Sequence, residues 1–291
     1  MYVSDFYKNI FGCKVYKISL DAGCTCPNRD GTKGKGGCIF CSAKGSGDFS
    51  SSGNKTISEQ IVDAKKLVGK KNKGGKYIAY FQSFSNTYGD AEYLAKLYNE
   101  AADSPDIVGI SIATRPDCLS DEILLKIKSL CSRTFVQLEL GLQTVNENTA
   151  KYIRRHYTNE DYENAVNVIR KTDSRIHIVT HVIFGLPGDT ETDMLQTVRK
   201  TVMSGSDGIK ISVLHVLKDT DLYKDYLDGK FKTLEEDEYY NLLSKALGII
   251  PSHTVIHRLT GDGPKSILVS PLWTANKRHV HNEISRRFNI W

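Results

Sequence analysis

Three thiols close to the N-terminus are the side chains best suited to chemistry. Cys26, Cys38 and Cys41 stand in the run CPNRDGTKGKGGCIFC, a Cys-x11-Cys-x2-Cys spacing. A closed structural zinc site takes four ligands in a tetrahedron. A cubane iron-sulfur cluster held by three cysteines leaves one iron open to a substrate or cofactor. Cys24, two residues before Cys26, would complete a four-cysteine zinc knuckle, so the spacing by itself leaves both chemistries open. A disulfide framework is disfavoured by seven cysteines, an odd number, in a chain of 291 residues whose opening MYVSDFYKNIFGCKVYK lacks the apolar centre of a secretory signal.

Composition narrows the setting. With 40% hydrophobic and 25% charged residues the chain reads as an ordinary globular protein rather than a disordered one. No stretch approaches the roughly 18 consecutive apolar residues that cross a bilayer, and neither end carries a lipidation motif. The expectation is a cytoplasmic protein with no membrane partner. A formal charge of +5 permits a nucleic-acid partner without requiring one.

The elements that must position the thiols follow from hydrophobic periodicity. Short β-branched runs alternate with longer helical patterns, the signature of repeated βα units and a parallel sheet. Strands are expected at 15–21, 76–82, 106–114, 135–143, 175–185 and 208–216, several of them continuous apolar runs as doubly covered strands should be. Helices are expected at 58–69, 91–102, 120–131, 159–172, 190–204 and 235–249. Ser58 precedes an acidic first turn, and Thr190 with Asp193 forms a capping-box pattern. Six units in series fit an α/β fold of the open (β/α)6 TIM type, and HTVIHRLTG at 253–261 would add a strand on the way to a closed eight-stranded barrel. Residues 1–220 would form the barrel core with its cysteine loop, and 221–291 a C-terminal extension packed on it.

Barrels of this kind place their active site at the C-terminal ends of the strands. The informative segments all fall there: the cysteine loop after the first strand, QSFSNTYGD after the second, TRPDC after the third, the end of ELGLQT on the fourth, FGLPGDT on the fifth and LHVLKDT on the sixth.

These segments resemble a known family. TCPNRDGTKGKGGCIFC, YFQSFSNTY, IATRPDCL, LELGLQT, IRRHYT, HVIFGLPGDT, LHVLKDT and the late RLTGDGPKSILVSPLW together are similar to radical S-adenosylmethionine (SAM) enzymes of the YhcC/YtqA-like branch, related to the Elongator catalytic subunit. The match runs over nearly the whole chain. Its first cysteine spacing departs from the best-known Cys-x3-Cys-x2-Cys pattern, and long first spacings are a feature of this branch. The position of Cys24 is more often aromatic there, so the resemblance assigns the cluster to Cys26, Cys38 and Cys41. It implies a 4Fe-4S cluster whose open iron is chelated by SAM, the partial barrel of the radical SAM kind, and a reductase, flavodoxin or ferredoxin as electron donor.

The same resemblance puts Gln82 and Ser83 where the methionine amino group of SAM is held, against a plain reading as barrel packing. Arg115 offers a planar fork for a carboxylate of SAM or substrate. Glu139 and Gln143 share one strand face among leucines, and a buried carboxylate needs a partner: SAM ribose hydroxyls or a core Arg or Lys. Gly185 and Gly188 would admit an adenine edge, or serve a tight βα turn. Arg154, Arg155, His156, His215 and Lys218 are candidates for the substrate side, with a surface charge cluster as the alternative, while His177 and His181 are given no role.

Basic clusters at 65–76, at 274–288 and in IRRHY can track phosphates, although solvated faces explain any one of them. Kinship to Elongator-type enzymes points to tRNA as substrate, at a wobble uridine carrying a 5-carboxymethylaminomethyl-type side chain that is processed to 5-aminomethyl. A radical SAM enzyme for a small molecule or protein and a non-catalytic zinc or iron-sulfur RNA-binding module are the alternatives.

Overall fold

The computed structural model describes residues 1–43, 45, 55–69, 72 and 74–290. Seven parallel strands make one curled sheet: β1 (Val15–Leu20), β2 (Lys76–Phe81), β3 (Ile107–Thr114), β4 (Phe135–Gln143), β5 (His177–Phe184) and β6 (Gly208–Val213) lie side by side in chain order. After β7 (Val216–Leu217), β8 (Val255–Arg258) joins that sheet beside β6. A seventh strand therefore comes from 253–261, within the segment expected as an extension, and the barrel stays half-open because β1 and β8 do not pair. β7 pairs instead with β9 (Leu268–Ser270) in a small antiparallel sheet, so the expected strand 208–216 is split in two. The split lets Leu214 and His215 leave the sheet at its C-terminal edge.

The register is that of successive parallel strands, with Ile18 opposite Ala79, Ala79 opposite Ile110 and Ile110 opposite Val136. Helices α1 (Val3–Phe11), α2 (Ile57–Val68), α3 (Ala91–Asp103), α4 (Asp121–Cys131), α5 (Glu147–Tyr152), α6 (Asn159–Thr172), α7 (Glu191–Met203), α8 (Asp221–Leu227), α9 (Glu236–Ile249) and α10 (Lys277–Phe288) complete the fold. Of these, α1, α5, α8 and α10 were not among the expected helices. Six residues in α5 and seven in α8 are too few to show a helical period.

Outer-layer helices α2, α3, α4 and α6 bury their apolar stripes against β1 to β4, giving one core cluster around Leu20, Phe81, Ile112 and Leu138. A second cluster joins β5, β6 and β8 to α7, α9 and α10 around Phe184, Ile211 and Tyr239. Helix α7 starts on the expected capping box, with Asp193 N donating to Thr190 Oγ1 at 3.2 Å and Thr190 N to Asp193 Oδ2 at 2.8 Å. Helix α2 is instead capped by Thr56, which forms a capping box with Glu59, and Ser58 lies inside the helix bonded to Glu100. Capping requires extended backbone at the cap, and Ser58 is already helical.

Helix α1 closes the N-terminal mouth of the half-barrel. Tyr7 OH donates to Gln137 Oε1 at 3.1 Å, Phe6 stacks on His177 at 4.6 Å, and Ile256 N donates to Met1 O at 2.8 Å. The opposite mouth, at the C-terminal strand ends, is left for the loops.

Candidate active site

Backbone hydrogen bonds fold the residues between Cys26 and Cys38 into a compact loop. Cys26 O accepts from Arg29 N (2.7 Å), Pro27 O from Lys33 N (2.8 Å) and Asn28 O from Gly37 N (2.8 Å), while Cys41 N donates to Cys38 O at 3.0 Å. The loop is tied to its neighbours by Ser85 N to Thr25 O (3.3 Å), Ile39 N to Ile153 O (3.2 Å) and Leu222 N to Ile39 O (2.9 Å). Buried Asn28 pins it further, its Nδ2 donating to Arg154 O at 2.7 Å and lying 3.5 Å from Cys38 Sγ. A small apolar cluster of Ile39, Ile153, Leu186, Leu214, Val216 and Leu222 supports it from below.

Cys26, Cys38 and Cys41 line a single cavity of about 180 Å³ at this mouth. Among the described residues, no three or more His, Cys, Asp or Glu are grouped to hold one metal ion. The three thiols stand along the wall of one cavity. A hydrogen bond from Cys41 and the charges of Arg115 and Arg29 bring the Cys38 thiol down to about 7, and Cys41, as the donor of that pair, is raised well above its ordinary range. Burial raises Cys26. Two arginines beside these three thiols favour their charged forms, as a thiolate-bound group would need. Cys24 does not line this cavity; it packs on the sheet core, and burial followed by the Asp21 charge pushes its thiol up to about 12.

Glu139, expected to face SAM ribose or a core cation, has core cations. Its carboxylate pairs with Lys17 and Lys210, and accepts from His181 Nε2 (2.6 Å), Ser111 Oγ (2.7 Å) and Gln137 Nε2 (2.6 Å). Burial opposes its charge, and the two lysines and His181 overcome this, holding the carboxyl well below the usual range. The carboxylate reaches the cavity wall with both oxygens already engaged. Gln143 closes β4 in a left-handed conformation (φ 61°), its Oε1 accepting from Tyr157 OH at 2.9 Å, and both residues line the thiol cavity.

Arg115 lines the same cavity, but its fork is engaged by Asp117, with Nε and Nη2 at 2.9 Å, and its Nη1 donates to Arg155 O at 3.0 Å. The expected free fork for a carboxylate is therefore absent, and what Arg115 presents to the thiols is charge. Arg155, read as a substrate-side candidate, lines the same cavity. It is buried, with Nη1 donating to Leu142 O and Thr144 O at 2.8 Å and Nε to Tyr157 O at 2.9 Å, so it fastens the end of β4.

Gly185 (φ 83°) and Gly188 (φ 95°) do not line either mouth cavity. A Cβ on Gly185 would lie 3.0 Å from Leu234, and one on Gly188 would lie 3.1 Å from Thr149 Oγ1. The tight-turn alternative describes these glycines, because their close neighbours are protein side chains. Ser83 is buried and lines neither mouth cavity. Arg154 pairs with Asp221 at 2.6 Å on the rim, His156 is exposed against Gly34, and Lys218 is exposed.

A second cavity, of about 290 Å³, abuts the first and shares Phe40, Tyr80, Gln143 and His181 with it. Gln82, Lys210, His215, Arg258 and Asp262 are among the other residues that line it. Lys17, Lys210, His181 and Arg258 were not read as site residues. A lysine in mid-strand, as in VYKISL and GIKISV, was the available signal, since a buried parallel strand that carries one must supply it a buried acid.

A parallel half-barrel with a thiol-walled cavity and an adjoining chamber at the C-terminal ends of its strands has the build of an enzyme that works through a metal cluster. The chain belongs to the radical SAM superfamily, whose model matches residues 26–201, and the Radical_SAM C-terminal domain matches residues 206–289. It is similar to YtqA of Bacillus subtilis, 44% identical over 95% of this chain and 85% of that protein, and to YhcC of Escherichia coli, 32% identical over 96% and 89%. The tRNA uridine(34) acetyltransferase of Methanocaldococcus jannaschii is 30% identical over 62% of this chain and 33% of its own length. Among solved structures, Elp3 of Methanocaldococcus infernus, lacking its N-terminus, superposes with a TM-score of 0.68 over 94% of this chain and 63% of that one, at 18% identity. The cofactors are those of the superfamily, a 4Fe-4S cluster and SAM. Among the described residues no helix is long and apolar enough to cross a membrane.

Proposed function

We propose that this radical SAM enzyme acts on tRNA, at a wobble uridine bearing a 5-carboxymethylaminomethyl-type side chain that it converts to 5-aminomethyl, the carboxymethyl C–N bond being oxidised by two electrons to an imine that water cleaves to glyoxylate and the amine, while SAM is reduced to methionine and 5′-deoxyadenosine. The observation that carries the enzymatic part is the single cavity into which Cys26, Cys38 and Cys41 project, with a second chamber opening from it. Kinship to a tRNA uridine(34) acetyltransferase supports the tRNA part. When bound, the cluster supplies one electron to the sulfonium of SAM, whose carbon-sulfur bond breaks to leave methionine and a 5′-deoxyadenosyl radical able to take hydrogen from an unactivated C–H bond.

In this reading the residues of the chain bind, orient and exclude. Cys26, Cys38 and Cys41 hold the cluster, and the charges of Arg29 and Arg115 favour their thiolate forms. Gln82, which follows β2 and lines the adjoining chamber, serves the methionine amino group, and Gln143, oriented by Tyr157, serves the ribose. Phe40, Tyr80 and Phe84 keep water from the reacting centre. A target base would leave its stack to enter the chamber, as enzymes acting on bases require. A reductase, flavodoxin or ferredoxin of the cytoplasm delivers the electron.

The test is anaerobic reconstitution with iron and sulfide, reduction by dithionite in the presence of SAM, and measurement of 5′-deoxyadenosine with and without bulk tRNA. Formation stimulated by tRNA supports the reading. Unstimulated formation with no salt-sensitive tRNA binding would move the substrate to a small molecule or protein.

A further inference from the structure

The chamber beside the thiol cavity has a polar end that nothing within the described residues completes. Arg258 Nη2 is buried and lies 2.7 Å from Asp262 Oδ2, yet out of line for a hydrogen bond, and the buried Nε2 of His215 also has no hydrogen-bond partner. Both residues line the chamber. Leaving a buried donor unmade is costly, and a cavity that leaves two of them unmade at one end is built for a ligand that accepts hydrogen bonds.

Charge decides which acceptor fits. The chamber wall carries the cation Arg258, and Lys210, which burial lowers to about 7, against the single carboxylate of Asp262, which is already shared between Arg258 and Lys277 at 3.3 Å. Glu139 neutralises Lys210 from outside the chamber. Burial lowers His215 to about 4, so near neutrality its imidazole is uncharged and carries a single N–H to donate. Backbone geometry holds that ring in place. A Cβ on Gly261 would lie 2.6 Å from His215 Cε1 and one on Gly263 would lie 3.3 Å from its Cδ2, so only glycine lets the 261–263 turn come this close. The opposite end is aromatic, where Phe40 and Tyr80 form the boundary with the thiol cavity. At about 290 Å³ the chamber sits at the low end of the ~300–1,000 Å³ typical of ligand pockets, room for one base-sized group and its side chain.

We propose that this chamber is the substrate subsite, and that Arg258 and His215 hold a carboxylate of the substrate at its far end while the carbon next in line reaches back toward Phe40 and Tyr80. This deepens the proposed function and rests on it for the identity of the carboxylate. The interaction is directional: one planar carboxylate can accept from a guanidinium and an imidazole together.

The test uses the cluster-loaded full-length enzyme with SAM and, as probes, free 5-carboxymethylaminomethyluridine and its methyl ester, with binding followed by calorimetry under anaerobic conditions. The acid is expected to bind at least about tenfold more tightly than the ester, the range for hydrogen bonds to a charged acceptor. Arg258→Met and His215→Phe are each expected to bring acid and ester to within about twofold, while Arg258→Lys and His215→Gln, which retain a donor, preserve part of the preference. Melting curves establish that each variant is folded. Equal binding of acid and ester by the native enzyme overturns the proposal, as does an undiminished preference in folded Arg258→Met and His215→Phe. An enzyme stimulated by tRNA but blind to the acid-ester difference would lose this subsite and keep the tRNA reading. One that prefers the acid but ignores tRNA would lose the tRNA reading and keep the subsite.

Discussion

Two cysteines separated by one residue have opposite fates. Cys26 faces the cavity with Cys38 and Cys41, whereas Cys24 packs against the sheet core, where burial favours the neutral thiol. Cys26→Ala, Cys38→Ala and Cys41→Ala are each expected to abolish iron and sulfide retention and 5′-deoxyadenosine formation, while Cys24→Ala retains both. Iron and sulfide analysis after reconstitution checks this, and an intact cluster in any of the first three variants would refute the assignment. The three thiols were legible from their spacing and the family pattern. The neighbours that tune them were not, because Arg29, Asn28 and Arg115 carry no spacing signature and reach the thiols only through the folded loops.

At the level of elements, the segment joining α5 to α6 works as a clamp. Arg155 binds the carbonyls at the end of β4, Arg115 reaches Arg155 O from the end of β3, and both guanidinium groups stack over Tyr157 at 4.7 Å. IRRHY read as a basic surface motif, but one of its two arginines is among the largest fully buried side chains of the molecule. Arg155→Met would leave three buried carbonyls without their donor and is expected to cost about 3 kcal/mol or more, measured by urea unfolding. A cost under about 1 kcal/mol would show that water or neighbouring side chains replace the guanidinium. Strand positions followed the sequence closely, since each alternates with a helix long enough to show its period. The split after Val213 did not, because the apolar pattern runs on through β7 while its hydrogen bonds pass to β9.

Across the whole molecule the two mouths of the half-barrel divide the labour. The C-terminal mouth carries the thiols and chamber, and the N-terminal mouth is sealed by α1 over a buried histidine pair, His177 Nε2 and His257 Nε2 lying 2.9 Å apart. Burial lowers His177 to about 4 and His257 well below its ordinary value, with nearby Lys17 opposing a further charge on both. A histidine whose folded-state pKa is depressed contributes stability above its unfolded value, near 6.5, and loses it as pH falls toward the folded value. Unfolding free energy is therefore expected to decline between about pH 6.5 and 4 by up to about 3 kcal/mol for His177. His177→Phe should flatten that decline, as followed by denaturant unfolding across the range, and an unchanged slope would remove His177 as its cause.

Residue order by itself determined the βα alternation, the placement of every informative segment at one end of the strands, and the three thiols. Each of these rests on local periodicity or on spacing along the chain, which the sequence displays directly. Only the tertiary structure decided the half-open barrel of seven strands, the ion cluster in which Lys17 and Lys210 meet Glu139, the pairing of Arg115 with Asp117, and the close packing of Arg155, Gly185 and Gly188 against neighbouring protein groups. Those outcomes depend on which groups become close neighbours after more than a hundred residues of intervening chain, as with Lys17 and Glu139. A buried charge takes whichever partner the curled sheet brings within hydrogen-bonding reach.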